Sequence, residues 1–261
     1  LKAKCQFAIR SLIINDQWLT IARWADHHSC NMPKLVDHGI WVKSGRHLLL
    51  GIEPDPVTYG IGKAAQAGDR QPLALLTGAN SGGKTTLLEL LAHTCILGHM
   101  GLPVPADNAR VGRVDAIHIL AKAGGTQSAG ALEQTLVELA TVVSDPTPKL
   151  ILADELEAIT EPGAGARIIA GMLLAARAQK NTSMMLVTHL APAIIEASGV
   201  DDFRVDGIEA RGLDADLELI VDRTPIRNHL ARSTPELIVK RLVERSEGHA
   251  KSLFDDILRM F

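Results

Sequence analysis

The residue types best suited to chemistry lie in one short stretch, residues 75 to 91, which reads LLTGANSGGKTTLLELL. Within it, the run from Gly78 to Thr85 matches G-x-x-x-x-G-K-[ST] at every fixed position. This pattern, between an apolar strand and a helix, is typical of a phosphate-binding loop. Lys84, the backbone N–H groups of the loop and the start of the helix would surround the β- and γ-phosphates of a nucleotide. The predicted nucleotide-binding residues are Gly78, Ala79, Asn80, Ser81, Gly82, Gly83, Lys84, Thr85 and Thr86.

Acidic and histidine side chains follow two further apolar strands. The strand KLILA leads into Asp154 and Glu155, and SMMLVTH places His189 at a strand end, where ligands bind in open α/β sheets. Thr85 and Asp154 are the predicted Mg²⁺ residues, while Glu155 would polarise the attacking water as general base. His189 would sense the γ-phosphate or hold that water. Taken singly, such acids also occur at helix starts, and a lone histidine is often a surface or capping residue.

These residues require strands and helices that alternate along the chain. Apolar strands and helical patterns do alternate from residue 73 onward, which predicts an α/β fold with a mostly parallel sheet flanked by helices. The predicted helices are 84–98, 129–143 and 163–179, and the predicted strands are LALLT, VDAIHIL, KLILA and SMMLVTH. Short strands IWVKSG and RHLLLGIEP precede them, a hairpin is expected at 203–222, and a helical tail at 234–261.

The composition narrows the class of protein. With 261 residues, 46% of them hydrophobic, and a net charge of −3, the chain is typical of a globular protein and lacks the basic excess of a nucleic-acid-coating domain. Three widely spaced cysteines without a C-x-x-C motif predict neither a zinc site nor disulfides, so a cytoplasmic location is the expectation. The most apolar stretch, Thr86 to Met100, contains Glu89, His93 and His99 and predicts a core helix rather than a membrane span.

The first residues of the chain indicate how it is divided into parts. Residues 1 to about 30 have apolar positions at helical spacing and begin without an initiator methionine, which suggests a piece of a longer protein. We therefore expect three parts: the end of an upstream helical domain (1–32), a nucleotide-binding domain (33–222) and a helical C-terminal segment (223–261).

An Asp-Glu pair together with a strand-end histidine is typical of ABC-type ATPases, in which two domains enclose two nucleotides. Only 70 positions separate Lys84 from Asp154, too few for the helical subdomain of transporter ATPases, and no LSGGQ-like motif occurs. A glycine-rich loop that opens onto a helix, AGGTQSAGALEQTLVELA, stands there instead. The nucleotide-binding subunit of a membrane transporter therefore stays an alternative with little support.

Between residues 46 and 222 the sequence resembles the ATPase domain of the MutS family of DNA mismatch-repair and recombination proteins. LLTGANSGGKTTLLELLA resembles the family's TGPNMGGKST loop, and GLPVPADNARVGRVDAI is similar to its G.FVPA..A.IG..D.I segment. GGTQSAGALE is similar to the GRSTF..E element, with Ser128 and Glu133 retained. LILADE and LVTHL match the two remaining blocks in order and spacing. The C-terminal segment resembles, more weakly, the helices that pack family dimers together.

The resemblance implies a homodimer that binds ATP and Mg²⁺ between its ATPase faces and hydrolyses ATP slowly. It implies that Ser128 contacts the γ-phosphate bound by the other subunit, and that DNA is bound by upstream domains outside this chain, with no membrane partner. Ala79 replaces the family's usual proline, and DELEAITEPGAG lacks the usual GRGTS after the acidic pair. These departures favour a divergent MutS-related branch. A non-hydrolysing, nucleotide-gated interaction module is a further alternative.

Two smaller questions stay open at this point. Tyr59, the only tyrosine, precedes the phosphate loop and would either stack on adenine or be an ordinary strand residue. The basic stretch Lys240–Arg245 would either touch DNA or form a solvated helix face, and its acidic neighbours favour the second.

Overall fold

The computed structural model describes residues 2–51, 54–66, 69–79, 82–121, 129–156, 161–231 and 235–261, with backbone alone at 129–132 and 135. In chain order, the helices are α1 (Lys2–His27), α2 (Lys84–His99), α3 (Ala129–Ser144), α4 (Pro162–Ala178), α5 (Ala191–Ser198), α6 (Pro235–Arg245) and α7 (Gly248–Leu258). The strands are β1 (Lys34–Val36), β2 (Ile40–Gly45), β3 (Val57–Ile61), β4 (Leu73–Gly78), β5 (Asn108–Gly112), β6 (Ala116–Leu120), β7 (Lys149–Asp154), β8 (Thr182–Val187), β9 (Arg204–Ile208), β10 (Ala210–Leu213) and β11 (Leu219–Val221).

The central feature among the described residues is a five-stranded sheet in the order β6-β7-β8-β4-β9, with every neighbouring pair parallel. Both β4 and β8 are buried along their whole length, as expected for near-continuous apolar strands covered on both faces. The predicted parallel sheet flanked by helices is therefore confirmed. The helices predicted at 84–98, 129–143 and 163–179 correspond to α2, α3 and α4.

Side chains of the central sheet alternate between two hydrophobic cores. Ala74 and Leu76 of β4 pack with α2, including Leu91 and Cys95, and with the second sheet. Leu73 and Leu75 point to the opposite core, with α4 and α5. The period of two along a strand sends successive side chains to opposite faces, so one strand serves both cores. The apolar stretch Thr86 to Met100 is thus a core helix, as its sequence predicts.

A second sheet, in the order β1-β5-β2-β3, packs over α2; its strand β2 is the one predicted at IWVKSG, but the sheet itself was not predicted. Within it β2 pairs antiparallel with both β3 and β5, while β1 pairs parallel with β5. The strand predicted at RHLLLGIEP is wrong for its described residues, where Leu48–Leu50 form a 3-10 helix. Because β3 and β5 occupy the two edges of β2, the segment after β2 cannot pair with β2 and connects it to β3.

The hairpin predicted at 203–222 is correct only in its second half. Strand β9 joins the central sheet in parallel beside β4, and the antiparallel ribbon consists of β10 and β11 alone. The alternating pattern of Arg204 to Ile208 suits an edge strand of the sheet as well as a hairpin arm, and the pairing with β4 decides the outcome.

The helices at the two chain ends differ from those around the sheet. None of the residues of α1 or α7 is buried, and Phe7, Leu12 and Trp18 on α1 are exposed. Helices α6 and α7 pack against each other. The described helices include none long and apolar enough to cross a membrane. The boundaries expected at 32 and 222 stay predictions.

The three cysteines, all among the described residues, are free thiols. Burial on the core face of α2 raises the pKa of the Cys95 thiol to about 12, so it is an inert core residue.

Candidate functional site

The candidate site lies where three parallel strands end. Strand β8 pairs in parallel with β4 on one side and with β7 on the other, where Asp154 lies opposite Val187. The chain continues across this edge, because the N–H of Glu155 donates to the Val187 carbonyl and that of Thr188 to the Leu76 carbonyl, both at 3.0 Å. Residues that follow β4, β7 and β8 are therefore brought together, although they are far apart in sequence.

Glycines permit the tight path of the phosphate loop. Gly78 has φ +131°, and a Cβ at this position would lie 2.2 Å from the Ile208 carbonyl oxygen, so no larger residue fits beside β9. Gly83 precedes α2 in the left-handed region with φ +91°, which favours glycine. Gly82 is buried, and Thr86 lines the cavity described below. Asn80 and Ser81, also predicted to bind nucleotide, lie outside the described residues.

Lys84, the first residue of α2, is buried against the loop that precedes it. Its Nζ donates hydrogen bonds to the carbonyl oxygens of Gly78 and Ala79, at 2.8 and 2.9 Å. Burial lowers the pKa of the amine, and the nearby carboxylates of Glu155 and Asp154 oppose that shift. The lysine side chain thus folds back against its own loop, and its charge lies near the carboxylates of Asp154 and Glu155.

Thr85 and Asp154 meet across the site. The Thr85 hydroxyl donates to Asp154 Oδ2 at 2.6 Å, which joins the start of α2 to the end of β7. A hydroxyl beside one carboxylate fits Mg²⁺, which protein sites hold through one or two carboxylates, waters and substrate phosphates. No group of three or more His, Cys, Asp or Glu side chains among the described residues forms a metal cage of its own.

Glu155 and His189 form the second contact between strand ends. His189 Nε2 lies 2.7 Å from Glu155 Oε1, and both side chains are about one-third exposed. Glu155 has φ +46°, a left-handed conformation that is uncommon for a residue other than glycine. Such strain persists where the surroundings fix it, and here the turn after β7 directs the carboxylate towards His189.

A cavity of about 670 Å³ opens in front of these groups and joins the start of α2 to the loop before β3. Three polar residues that the sequence interpretation missed line it: His47, Asp55 and Arg223. Arg223 Nε donates to Asp55 Oδ2 at 2.8 Å, and His47 Nε2 lies 3.1 Å from Glu89 Oε2. No sequence motif identifies these residues, because they belong to connections that are distant from the phosphate loop in sequence. The described lining residues are His47, Leu50, Pro54, Asp55, Val57, Gly82, Gly83, Lys84, Thr85, Thr86, Leu87, Leu90, Glu155, His189 and Arg223.

Tyr59 does not reach this cavity, and the adenine-stacking alternative is wrong. The residue lies on β3, is only 5% exposed, and donates from Oη to Asp206 Oδ2 at 2.8 Å. Arg204 completes the group: its Nε lies 2.7 Å from the same oxygen and its guanidinium lies 5.1 Å from the centre of the tyrosine ring. Burial, followed by the Asp206 charge, raises the pKa of Tyr59 well above its usual value. Tyr59 is a core strand residue.

The remaining predicted residues lie away from the cavity or outside the described residues. Ser128 lies outside the described residues. In the basic stretch of α6, Arg241 and Arg245 contact Glu218 at 3.3 and 3.0 Å, so two of its charges are paired within the molecule. This supports the helix-face interpretation.

Comparison with known proteins identifies the family. Residues 74–220 match the family model described as MutS domain V, and this range contains the loop, Asp154, Glu155 and His189. The chain belongs to the MutS family. The MutS resemblance inferred from the motifs is thereby confirmed, and the transporter alternative has no support.

The MutS relatives show how much of such a protein this chain represents. It is 43% identical over 232 residues to a protein of Pyrococcus furiosus named DNA-binding protein MutS2, covering 88% of this chain and 41% of the relative. It is 32% identical over 179 residues to the Endonuclease MutS2 of Clostridium tetani, covering 64% of this chain and 21% of the relative. Identity to the DNA mismatch repair protein MutS of Desulfovibrio desulfuricans is 27% over 201 residues, 74% of this chain and 21% of that relative. The chain thus spans less than half the length of these relatives.

Proposed function

We propose that this chain binds ATP with Mg²⁺ and hydrolyses it, as the ABC-type ATPase domain of a MutS-related DNA repair or recombination protein. The observation that carries the proposal is the convergence of Lys84, the Thr85–Asp154 contact and the Glu155–His189 contact at one edge of a parallel sheet, beside a cavity of about 670 Å³. That volume lies within the range of ordinary small-molecule sites. Membership of the MutS family supports the same interpretation.

The proposed mechanism assigns each side chain one task. The Lys84 amine, which holds the Gly78 and Ala79 carbonyls, would turn part of its hydrogen bonding towards the β- and γ-phosphates. Thr85 and Asp154 would hold Mg²⁺. When bound, Mg²⁺ offsets the charge that develops on the phosphate oxygens.

Glu155 would accept the proton of the attacking water. His189, 2.7 Å away, would fix the orientation of that carboxylate at the cavity edge and lie near the γ-phosphate. Because the Glu155 backbone is held in the left-handed region, the base is oriented before any substrate binds.

The proposal includes a homodimer that encloses nucleotide between ATPase faces. Support comes from the MutS family, whose members act as dimers, and from the glycine-rich segment with Ser128, which would contact the γ-phosphate bound by the partner. DNA binding is proposed for parts of the protein outside this chain, since the Pyrococcus and Desulfovibrio relatives are named for DNA binding and mismatch repair. The cytoplasmic location expected from the cysteines remains a prediction.

Phosphate release from ATP by the wild type and by Glu155→Gln tests the enzymatic part of the proposal. The substitution should lower turnover by about a hundredfold or more, since loss of a general base costs roughly 10² to 10⁴ in rate. ATP affinity measured by calorimetry should stay within about twofold, because the amide keeps the shape of the side chain and one acceptor oxygen.

A matched control is available in a second Glu–His pair. Glu209 Oε1 lies 2.5 Å from His229 Nε2, with both side chains slightly more exposed than Glu155 and His189, but neither residue lines the cavity. Glu209→Gln should leave phosphate release unchanged. A wild type that binds ATP tightly and releases no phosphate would instead establish the non-hydrolysing alternative.

A further inference from the structure

An ion pair between Arg223 and Asp55 forms part of the cavity lining. Arg223 Nε donates to Asp55 Oδ2 at 2.8 Å, and their side chains are 42% and 71% exposed. Arg223 comes two residues after β11, and Asp55 two residues before β3. The pair also lines a second cavity of about 330 Å³, so it forms part of the wall between two open spaces. An exposed pair of this kind contributes little to stability.

The guanidinium of Arg223 lies against the phosphate loop as well as against Asp55. A Cβ placed on Gly83 would be 3.3 Å from Arg223 Nη1, so this end of the guanidinium lies beside the residue that immediately precedes α2. Gly83 and the next residues contribute the backbone N–H groups that face a bound anion. An anion held there would therefore lie between the helix start and Arg223.

The charges of the cavity lining favour a role for Arg223 in binding phosphate. The described lining residues include the acids Asp55 and Glu155 and the cations Lys84 and Arg223. Lys84 already donates to two loop carbonyls. Asp55 alone would repel a polyphosphate, and Arg223 offsets that charge. A guanidinium presents five N–H donors in a planar fork that matches phosphate oxygens, and only its Nε is used by Asp55 among the described residues.

We propose that Arg223 is a second cationic ligand of the nucleotide's phosphates, held ready by Asp55 and transferred to the phosphate chain when nucleotide binds. This inference rests on the proposed nucleotide function of the cavity and adds to it a residue outside the phosphate loop. Asp55 then acts as a positioning residue that competes with the nucleotide for the guanidinium.

The ribbon that carries Arg223 holds it in place. Strands β10 and β11 pair from Ala210–Val221 to Leu213–Leu219, and Glu218 at the ribbon turn contacts Arg241 and Arg245 of α6. After the ribbon, the Asp222 N–H donates to the Glu209 carbonyl at 3.4 Å and Ile226 pairs with Gly207, so the backbone is held on both sides of Arg223 and only its side chain needs to move. A residue positioned in this way loses little conformational freedom when it meets its ligand.

The test compares the affinity of the wild type and of Arg223→Ala for ATP with Mg²⁺, measured by calorimetry at low and at moderate salt. Arg223→Ala should weaken binding about tenfold, the range expected for a charge-assisted hydrogen bond to phosphate. Inorganic tripolyphosphate, used as a second probe, should lose affinity by the same factor, because the proposed contact is to phosphate and not to the base. The wild type should also lose more affinity with added salt than the variant.

Two further variants decide between a ligand and a structural latch. Arg211→Ala is the matched control, since Arg211 belongs to the same ribbon, pairs with Asp222 at 3.1 Å and lines only the second cavity. It should bind ATP as the wild type does. Asp55→Asn should bind ATP about threefold more tightly, because it frees Arg223 and removes a repelling charge. If the ion pair were only a structural latch, Asp55→Asn would weaken ATP binding instead of strengthening it, because both Asp55→Asn and Arg223→Ala would loosen the cavity wall.

The outcomes separate this inference from the function on which it rests. If the wild type binds no ATP, the proposed function fails. If the wild type binds ATP and Arg223→Ala binds it equally well, only the role of Arg223 fails. A loss for ATP with none for tripolyphosphate would overturn the phosphate assignment and indicate a contact to the base or sugar.

Discussion

Two groups of polar and charged side chains beside the central sheet differ in whether they face the cavity. Tyr59, Arg204 and Asp206 are at most 5% exposed and satisfy one another, with Arg204 also donating to the Gly60 carbonyl at 2.9 Å. We call these three residues the closed cluster. Lys84, Glu155 and His189 line the cavity, and Asp154 accepts a hydrogen bond from Thr85 of the same lining; these four residues are here called the open cluster.

The difference teaches how to separate structural charge from functional charge in this protein. In the closed cluster, Asp206 accepts from Tyr59 and Arg204 on one oxygen and from the Asn228 N–H on the other, so no substrate could compete. In the open cluster, Glu155 and His189 are one-third exposed and can receive a ligand. Substitutions in the closed cluster should therefore change stability, and those in the open cluster should change binding or turnover.

The largest effect on stability is expected from Asp206→Ala. Removal of the carboxylate leaves the buried Arg204 guanidinium without its counter-charge, which typically costs about 3 to 5 kcal/mol. Denaturant unfolding followed by circular dichroism measures the loss. Asp222→Ala serves as the control, because Asp222 pairs with Arg211 at an exposed site and should cost less than about 1 kcal/mol. Equal losses in the two variants would remove the distinction between closed and open charge.

A smaller effect is expected from Tyr59→Phe. The substitution removes the hydrogen bond to Asp206 and keeps the ring beneath Arg204, so the free energy of unfolding should fall by about 1 to 2 kcal/mol. ATP affinity should not change, since the ring lies in the core and does not line the cavity. A drop in ATP affinity with unchanged stability would restore the adenine-stacking alternative.

The parts of the molecule that could be predicted from sequence are those whose contacts are local. The apolar strand, the glycine loop and the apolar helix follow one another without interruption, and the helix predicted at 84–98 is Lys84–His99 in the structure. Asp154 and His189 were recognisable as residues at strand ends because each follows a continuous apolar run. Parallel strands bring such ends to one edge, so their convergence needed no further information.

The parts that could not be predicted depend on contacts between distant residues. Lys34 pairs with Arg110 in the second sheet, and no local hydrophobic pattern predicts that pairing. Asp55 and Arg223 are 168 positions apart, and Tyr59 and Asp206 are 147 apart, so neither contact leaves a motif. The sequence alone could not exclude adenine stacking by Tyr59, because its partner Asp206 is far away in sequence.

Calorimetric titration of ATP with Mg²⁺ into the wild type and into Lys84→Met tests the central claim, that this cavity is a nucleotide site, most directly. Methionine keeps the buried stem of the side chain and removes the charge and its donors. We expect measurable binding to the wild type and a loss of roughly a hundredfold or more in the variant. Its free energy of unfolding should stay within about 1 kcal/mol of the wild type, because water from the cavity can replace the amine at the loop carbonyls. Equal ATP affinity in the two proteins would contradict the account.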